Sequence, residues 1–134
     1  MTEIQTFSVR TRAREELVDI TGEVLAAIAA TGVGEGVAHV YCPHTSAGLV
    51  IQEAADPDVA RDLDAKLRRL VPRDEQYRHA EGNSDAHVKA SLVGCSQAIP
   101  VAEGRPLLGT WQGLFFCEFD GPRTRTVLVK VMAG

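Results

Sequence analysis

Residues 111–119 read WQGLFFCEF, apolar on both alternating faces and broken only by Gln112 and Glu118. Side chains alternate across a strand, so a run of this kind needs cover on both sides. It predicts a central strand and leaves Glu118 as a buried or site-facing acid. The turn Asp120-Gly121-Pro122-Arg123 follows, and residues 124–132 read as the partner strand of an antiparallel hairpin. At 134 residues the chain has room for one such core, not two, so residues 1–134 are expected to form a single domain.

Upstream of this run the periodicity changes twice. Residues 2–11 are rich in β-branched side chains and suggest a first strand. Leu17, Ile20, Val24 and Ile28 then recur at helical spacing among alanines, which predicts a helix ending near Gly32. Its start is open: Glu15 and Glu16 suit a first turn, and Asp19 or Thr21 suits a later cap. From 37 to 42 the period is two, with Val37, His39 and Tyr41 on one face and Ala38, Val40 and Cys42 on the other. His39 is thus expected mid-strand as a packed or paired structural histidine.

Pro43 interrupts that strand, because it has no N–H for the ladder, and leaves His44, Thr45 and Ser46 at a strand end. Residues 47–53 resume as a strand. Asp56-Pro57-Asp58 opens a helix, with Asp56 as cap, Pro57 at the first position and Asp58 facing the positive end of the dipole. Val59, Leu63, Leu67 and Leu70 form its buried stripe, and Pro72 stops it. A short helix over 85–93, a strand over 95–101 and a turn at 103–106 complete the order. Two main helices, one short helix and no repeated βαβ unit predict an α+β fold with antiparallel sheets.

The charge of -4 and pI near 5.5 argue against a nucleic-acid binder, and no apolar run approaches the ~20 residues that span a bilayer. The first residues carry no secretory signal pattern. Cys42, Cys95 and Cys117 form no CxxC pair and read as free, mostly buried thiols of a reducing, cytoplasmic compartment. Trp111 reads as a core residue at a strand start.

The chemistry concentrates in residues 77–87, YRHAEGNSDAH, a polar stretch with no apolar period, and in the turn at 43–46. If the two segments meet, His44, His79 and His87 would offer three imidazoles to a divalent metal. Spacing alone supports this weakly, since His79 and His87 fit no helical metal motif. Asp85 and Glu118 would orient an imidazole or act as a general base. A metal-free alternative makes the same loops an anion site, with Thr45, Ser46 and Asn83 as hydrogen-bonding groups and Arg123 as a planar fork. No Walker loop, GxGxxG or Gly-x-Ser-x-Gly elbow is present.

Taken together, Pro43-His44-Thr45-Ser46-Ala47, Glu53 with Asp56-Pro57-Asp58-Val59, Tyr77-x-His79, Gly82-Asn83-Ser84-Asp85-Ala86-His87, Leu108-Gly109-Thr110-Trp111-Gln112 and Glu118-Phe119-Asp120-Gly121-Pro122-Arg123 resemble the secondary thiamine-phosphate synthase family, the YjbQ-like proteins. The resemblance spans nearly the whole chain. It implies a sandwich of sheets assembled as a homotrimer. It also implies a weak transferase activity that couples a pyrimidine diphosphate to a thiazole phosphate with release of pyrophosphate. His44, His79 and His87 match the family's motif histidines, and Glu118 and Arg123 match its Glu-Phe-Asp-Gly-Pro-Arg segment. Three imidazoles imply zinc, while pyrophosphate chemistry favours magnesium on oxygen ligands. The alternatives are a non-catalytic trimer that binds a metal or a small phosphorylated metabolite, and a metal-dependent hydrolase.

Overall fold

The computed structural model describes residues 3–134. Two antiparallel sheets and three helices form an α+β domain. The five-stranded sheet has the order β1 (Gln5–Arg10), β8 (Thr124–Ala133), β3 (Gly36–Tyr41), β5 (Ser96–Ala102) and β6 (Arg105–Pro106). The three-stranded sheet has the order β2 (Glu16–Asp19), β7 (Gln112–Glu118) and β4 (Ala47–Glu53).

β7 is covered on both sides, as its sequence demands. Leu114 and Phe116 pack with Val127, Val129, Val131, Ala38 and Val40 of the larger sheet and with Val24 and Ile28 of α1 (Thr21–Thr31). Cys117 and Phe119 pack on the opposite side with Leu67 of α2 (Pro57–Leu70) and Ala86 and Ala90 of α3 (Ser84–Val93). Truncating a fully buried ring such as Phe116 costs about 3–5 kcal/mol, because both the transfer energy and the cavity count against it.

Helix boundaries follow their caps. The Asp56 side chain accepts the Asp58 N–H at 2.9 Å, with Pro57 at the first helical position. α1 takes the later of its two available starts. Asp19 accepts the Thr21 N–H, and the chain before it is not helical but pairs as β2, Leu17 opposite Cys117. The helical spacing of Leu17 was thus satisfied by a strand, since apolar cover for β7 outweighed local propensity.

Other expectations are corrected. β8 is not the hairpin partner of β7: it pairs with β1 and β3, and the turn at 120–123 carries the chain from one sheet to the other. Trp111 is 64% exposed rather than core. His39 is exposed mid-strand, Leu70 lies outside its helix's buried stripe, and Cys95 is exposed while Cys42 and Cys117 are buried. The first strand begins at Gln5; Thr2 lies outside the described residues. No helix among the described residues is long and apolar enough to cross a membrane.

One glycine sets the site's geometry. A Cβ on Gly48 would lie 2.6 Å from the Gly94 carbonyl oxygen, so its absence lets the end of α3 press against β4, where Gly94 accepts the Leu49 N–H. α3 is thereby docked beside the turn between β3 and β4.

Candidate functional site

The turn at 43–46 and the start of α3 do meet. His87, in the first turn of α3, places Nδ1 2.9 Å from the Thr45 carbonyl oxygen. A carbonyl only accepts, so Nδ1 carries the proton and the lone pair stands on Nε2. The two loops, with the turn at 120–123, enclose a polar cleft of about 400 Å³ that includes His44, Thr45, Ser46, Glu81, Asn83, His87, Arg123 and Arg125.

His44 occupies the place a strand residue would take. Its Nε2 accepts the Thr126 N–H at 2.9 Å, and its ring stands edge-on to Phe116. Burial, joined by the positive charge of Arg125, holds this imidazole below its usual range and outweighs the neighbouring Glu118. A neutral ring is what the geometry requires, because a protonated Nε2 would confront the backbone N–H.

Beneath the cleft lies a buried ion pair. Glu118 is 0% exposed and Arg125 4%. Arg125 Nε donates to Glu118 Oε1 at 2.8 Å and Nη2 to Oε2, and Nη2 also donates to Ser46 Oγ at 3.0 Å. Glu118 further accepts the Thr11 hydroxyl at 2.8 Å and the Asp120 N–H at 3.0 Å. Burial alone would push its pKa up, but these donors prevail and hold it below the usual carboxylate range. Glu118 is therefore ionised and fully partnered, a support for the Ser46 turn rather than a base.

Asp120 organises the opposite wall. It accepts Asn83 Nδ2 at 2.8 Å and Arg123 Nη2 at 3.1 Å, while its carbonyl accepts Arg123 Nε at 2.7 Å. Those donors outweigh burial and keep Asp120 below its usual range. Asn83 precedes α3 in the cap position yet makes no capping bond. Its Oδ1 is buried without a hydrogen-bond partner among the described residues, an acceptor left over at the cleft. Arg125 Nη1 and the Thr45 hydroxyl likewise make no hydrogen bond among the described residues.

Asp85 lies elsewhere. It is wholly buried, paired with Arg14 at 3.1 Å and Lys89 at 2.9 Å, and Lys89 reaches Glu15 at 3.0 Å. These partners overcome burial and hold Asp85 below its usual range, so it anchors α3 and does not face the cleft as a base. His79 packs edge-on against His87 with ring centres 5.3 Å apart and stands 3.8 Å from Glu81.

The three-histidine metal centre is corrected by this geometry. No group of three or more His, Cys, Asp or Glu side chains among the described residues is disposed to hold a metal ion. His44 spends Nε2 on the Thr126 N–H and drops out of the set, while His87, with Nδ1 on Thr45, keeps Nε2 and leaves only itself and His79 where three imidazoles were expected. The three imidazoles expected to hold a metal are therefore not brought together as one ligand set among the described residues.

Sequence reasoning missed Arg125, Asp120 and Lys89. Arg125 had a signal: in period two it shares the inward face with Val127, Val129 and Val131, where an arginine needs a buried partner. A larger concavity of about 820 Å³ runs between α1 and the β5–β6 turn. Leu25, Ala26, Ala29, Val33 and glycines line most of it, with Glu103 and Arg105 its charged members, and the smaller cleft, with more polar groups in its lining, is the better functional candidate.

The family model described as UPF0047 protein YjbQ-like matches residues 5–134. A UPF0047 protein of Methanocaldococcus jannaschii is 53% identical over 126 residues, covering 94% of this chain and 91% of that protein. YugU of Bacillus subtilis is 50% identical over 130 residues, with 96% and 98% covered. A YjbQ/UPF0047 family structure from Clostridium acetobutylicum superposes with a TM-score of 0.93 at 49% identity, covering 96% of this chain and 99% of that one. A structure from Sulfolobus solfataricus, called YbjQ-like and of unknown function, gives 0.95 at 28% identity, covering 100% and 99%. Those names assign no reaction, and nothing in them points to thiamine-phosphate synthesis. The expected transferase, and the metal-dependent hydrolase beside it, are withdrawn: the names supply no such relationship and the histidines supply no ligand set.

Proposed function

This chain belongs to the UPF0047 YjbQ-like family, and on that premise we propose that its polar cleft is a metal-free site for the phosphate group of a small metabolite. The observation that carries this reading is Arg125. A guanidinium only 4% exposed forms part of the cleft lining and leaves Nη1 without a hydrogen-bond partner among the described residues. That nitrogen is not among the buried atoms that lack a partner, so it reaches the cleft, where a charge-assisted bond to an anionic acceptor is open to it.

Arg123 adds a second fork, since Nε and one Nη2 bond hold it to Asp120 and Nη1 stays open to the cleft. The Thr45 hydroxyl adds a third donor. Asn83 Oδ1 and His87 Nε2 are acceptors, suited to a P–OH or to a hydroxyl beside the phosphate, and His87 is placed to take that proton. Each guanidinium is already paired with a carboxylate, Arg125 with Glu118 and Arg123 with Asp120. With Glu81 also in the lining, the two cations face three carboxylates, so attraction rests on directed donors and suits one phosphate group better than a diphosphate.

Calorimetric titration with inorganic phosphate tests the reading. Saturable binding that falls at least about tenfold in Arg123→Ala is expected from the loss of a charge-assisted fork. Equal binding by both proteins would overturn it.

We also propose that the chain assembles as a homotrimer through the outer face of the five-stranded sheet. Val37, Tyr41 and Met132 are exposed there beside Leu128, with no helix over them. Light scattering on the wild type and on Tyr41→Glu checks this, a monomer being the expected state of the variant. Three free thiols support placing the protein in the reducing cytoplasm.

A further inference from the structure

Next to the polar cleft lies a second concavity of about 350 Å³, and the two share His44, Thr45 and His87. Beyond those shared residues the lining changes character. The polar side offers Arg123, Arg125 and Asn83; the other offers Ala47, Ala90, Gly94 and Cys95. A Cβ built on Gly94 would meet nothing within 4 Å, so open space continues to the end of α3.

A bare phosphate would use only the polar side. Together the two concavities fall in the range of about 300–1,000 Å³ that small-ligand sites occupy, apolar walls with a few placed polar groups. We infer that they are two chambers of one site, and that the ligand is a phosphomonoester whose compact apolar body fills the chamber lined by Ala47, Ala90 and Cys95. This rests on the phosphate reading above and extends it to a substrate class. Because His87 borders both chambers, the link between phosphate and body lies beside its ring, within reach of Nε2. Ser91 and Cys95, both exposed, complete the lining of this chamber, whose volume of about 350 Å³ accommodates a compact ring.

The thiols supply a direct readout. Cys42 and Cys117 are buried, with burial pushing them up to about 11 and about 12, whereas Cys95 is exposed. N-ethylmaleimide therefore labels Cys95 first.

The experiment compares inorganic phosphate with phenyl phosphate, by calorimetry and by the rate of Cys95 labelling. Phenyl phosphate is expected to bind about tenfold tighter, the effect of burying one face of a ring. At saturation it should also slow Cys95 labelling at least about fivefold, and phosphate should not. Ser91→Trp, which fills the apolar chamber, should remove the advantage of phenyl phosphate and leave phosphate binding unchanged. If phosphate binds but phenyl phosphate binds no tighter and leaves Cys95 unprotected, the chambers are independent and the inference is overturned while the phosphate reading stands. Binding of neither would overturn both. Should Ser91→Trp fail to fold, the labelling comparison on the wild type decides alone.

Discussion

Two clusters of buried charge hold this part of the fold, one beneath the cleft and one away from it, and they differ in the space beside them. In one, Arg14, Glu15, Asp85 and Lys89 face one another, and Lys89, 1% exposed, has a carboxylate on each side. In the other, Arg125 satisfies Glu118 and Ser46 and keeps Nη1 for the cleft. Burial, charge and a depressed carboxylate are common to both. Perturbed titration thus marks structural ionic clusters as readily as sites. What separates them here is the space beside them: the cleft at Arg125 is about 400 Å³, within the range of small-ligand sites, while the concavity at Arg14 and Glu15 is about 220 Å³.

The largest effects should come from breaking each pair. Glu118→Ala leaves buried Arg125 without a carboxylate and should lose about 3–5 kcal/mol in urea unfolding, and Asp85→Ala, which leaves Lys89 and Arg14 to share Glu15, should lose less. Apolar replacement of both partners sharpens the contrast. Asp85→Leu with Lys89→Met and Glu118→Leu with Arg125→Met should each recover most of that loss. Only the second pair should abolish phosphate binding; if both doubles bind normally, the distinction between the clusters fails.

A smaller effect on stability, with a large one on binding, is expected at Arg123. It is half exposed, so Arg123→Ala should cost less than about 1 kcal/mol in urea unfolding. Smaller again is the pH response of His44. Its folded-state value is depressed by burial and by Arg125 from 6.5, so the unfolded chain binds the proton more readily. Its stabilisation is present above 6.5 and is lost as pH falls through the depressed value. Wild type should weaken on acidification from 6.5, before the carboxylates titrate, and His44→Gln should show a flatter profile in thermal unfolding. Smallest is His79→Ala: an edge-on ring at the rim should change stability and phosphate affinity by no more than about 0.5 kcal/mol.

Much of the fold was legible because strong local signals agreed with tertiary need. Asp56-Pro57 started α2, and the two-sided apolar run became β7 between the larger sheet and α2 with α3. Leu17 and the partner of β8 were misread because pairing is non-local: helical spacing before Asp19 gave way to a strand that completes the cover of β7. At the site, the meeting of the turn at 43–46 with the start of α3 was anticipated from two polar breaks in the apolar pattern. The chemistry was not. Counting histidines cannot reveal that a backbone N–H takes the ring nitrogen of His44. Glu118 was noticed as an acid, while its partner Arg125, seven residues on and in the other sheet, was not.

The central claim is that donors left over at Arg125, Arg123 and Thr45 meet a phosphate. Titrating isotope-labelled protein with inorganic phosphate, followed by two-dimensional amide and arginine side-chain NMR, tests it most directly. The account predicts saturable shifts at the guanidinium of Arg125, the side-chain amide of Asn83 and the backbone of Thr45 and Ser46, needing at least about tenfold more phosphate in Arg123→Ala. Shifts confined to the groove along α1, or no saturable shift at these groups, would contradict it.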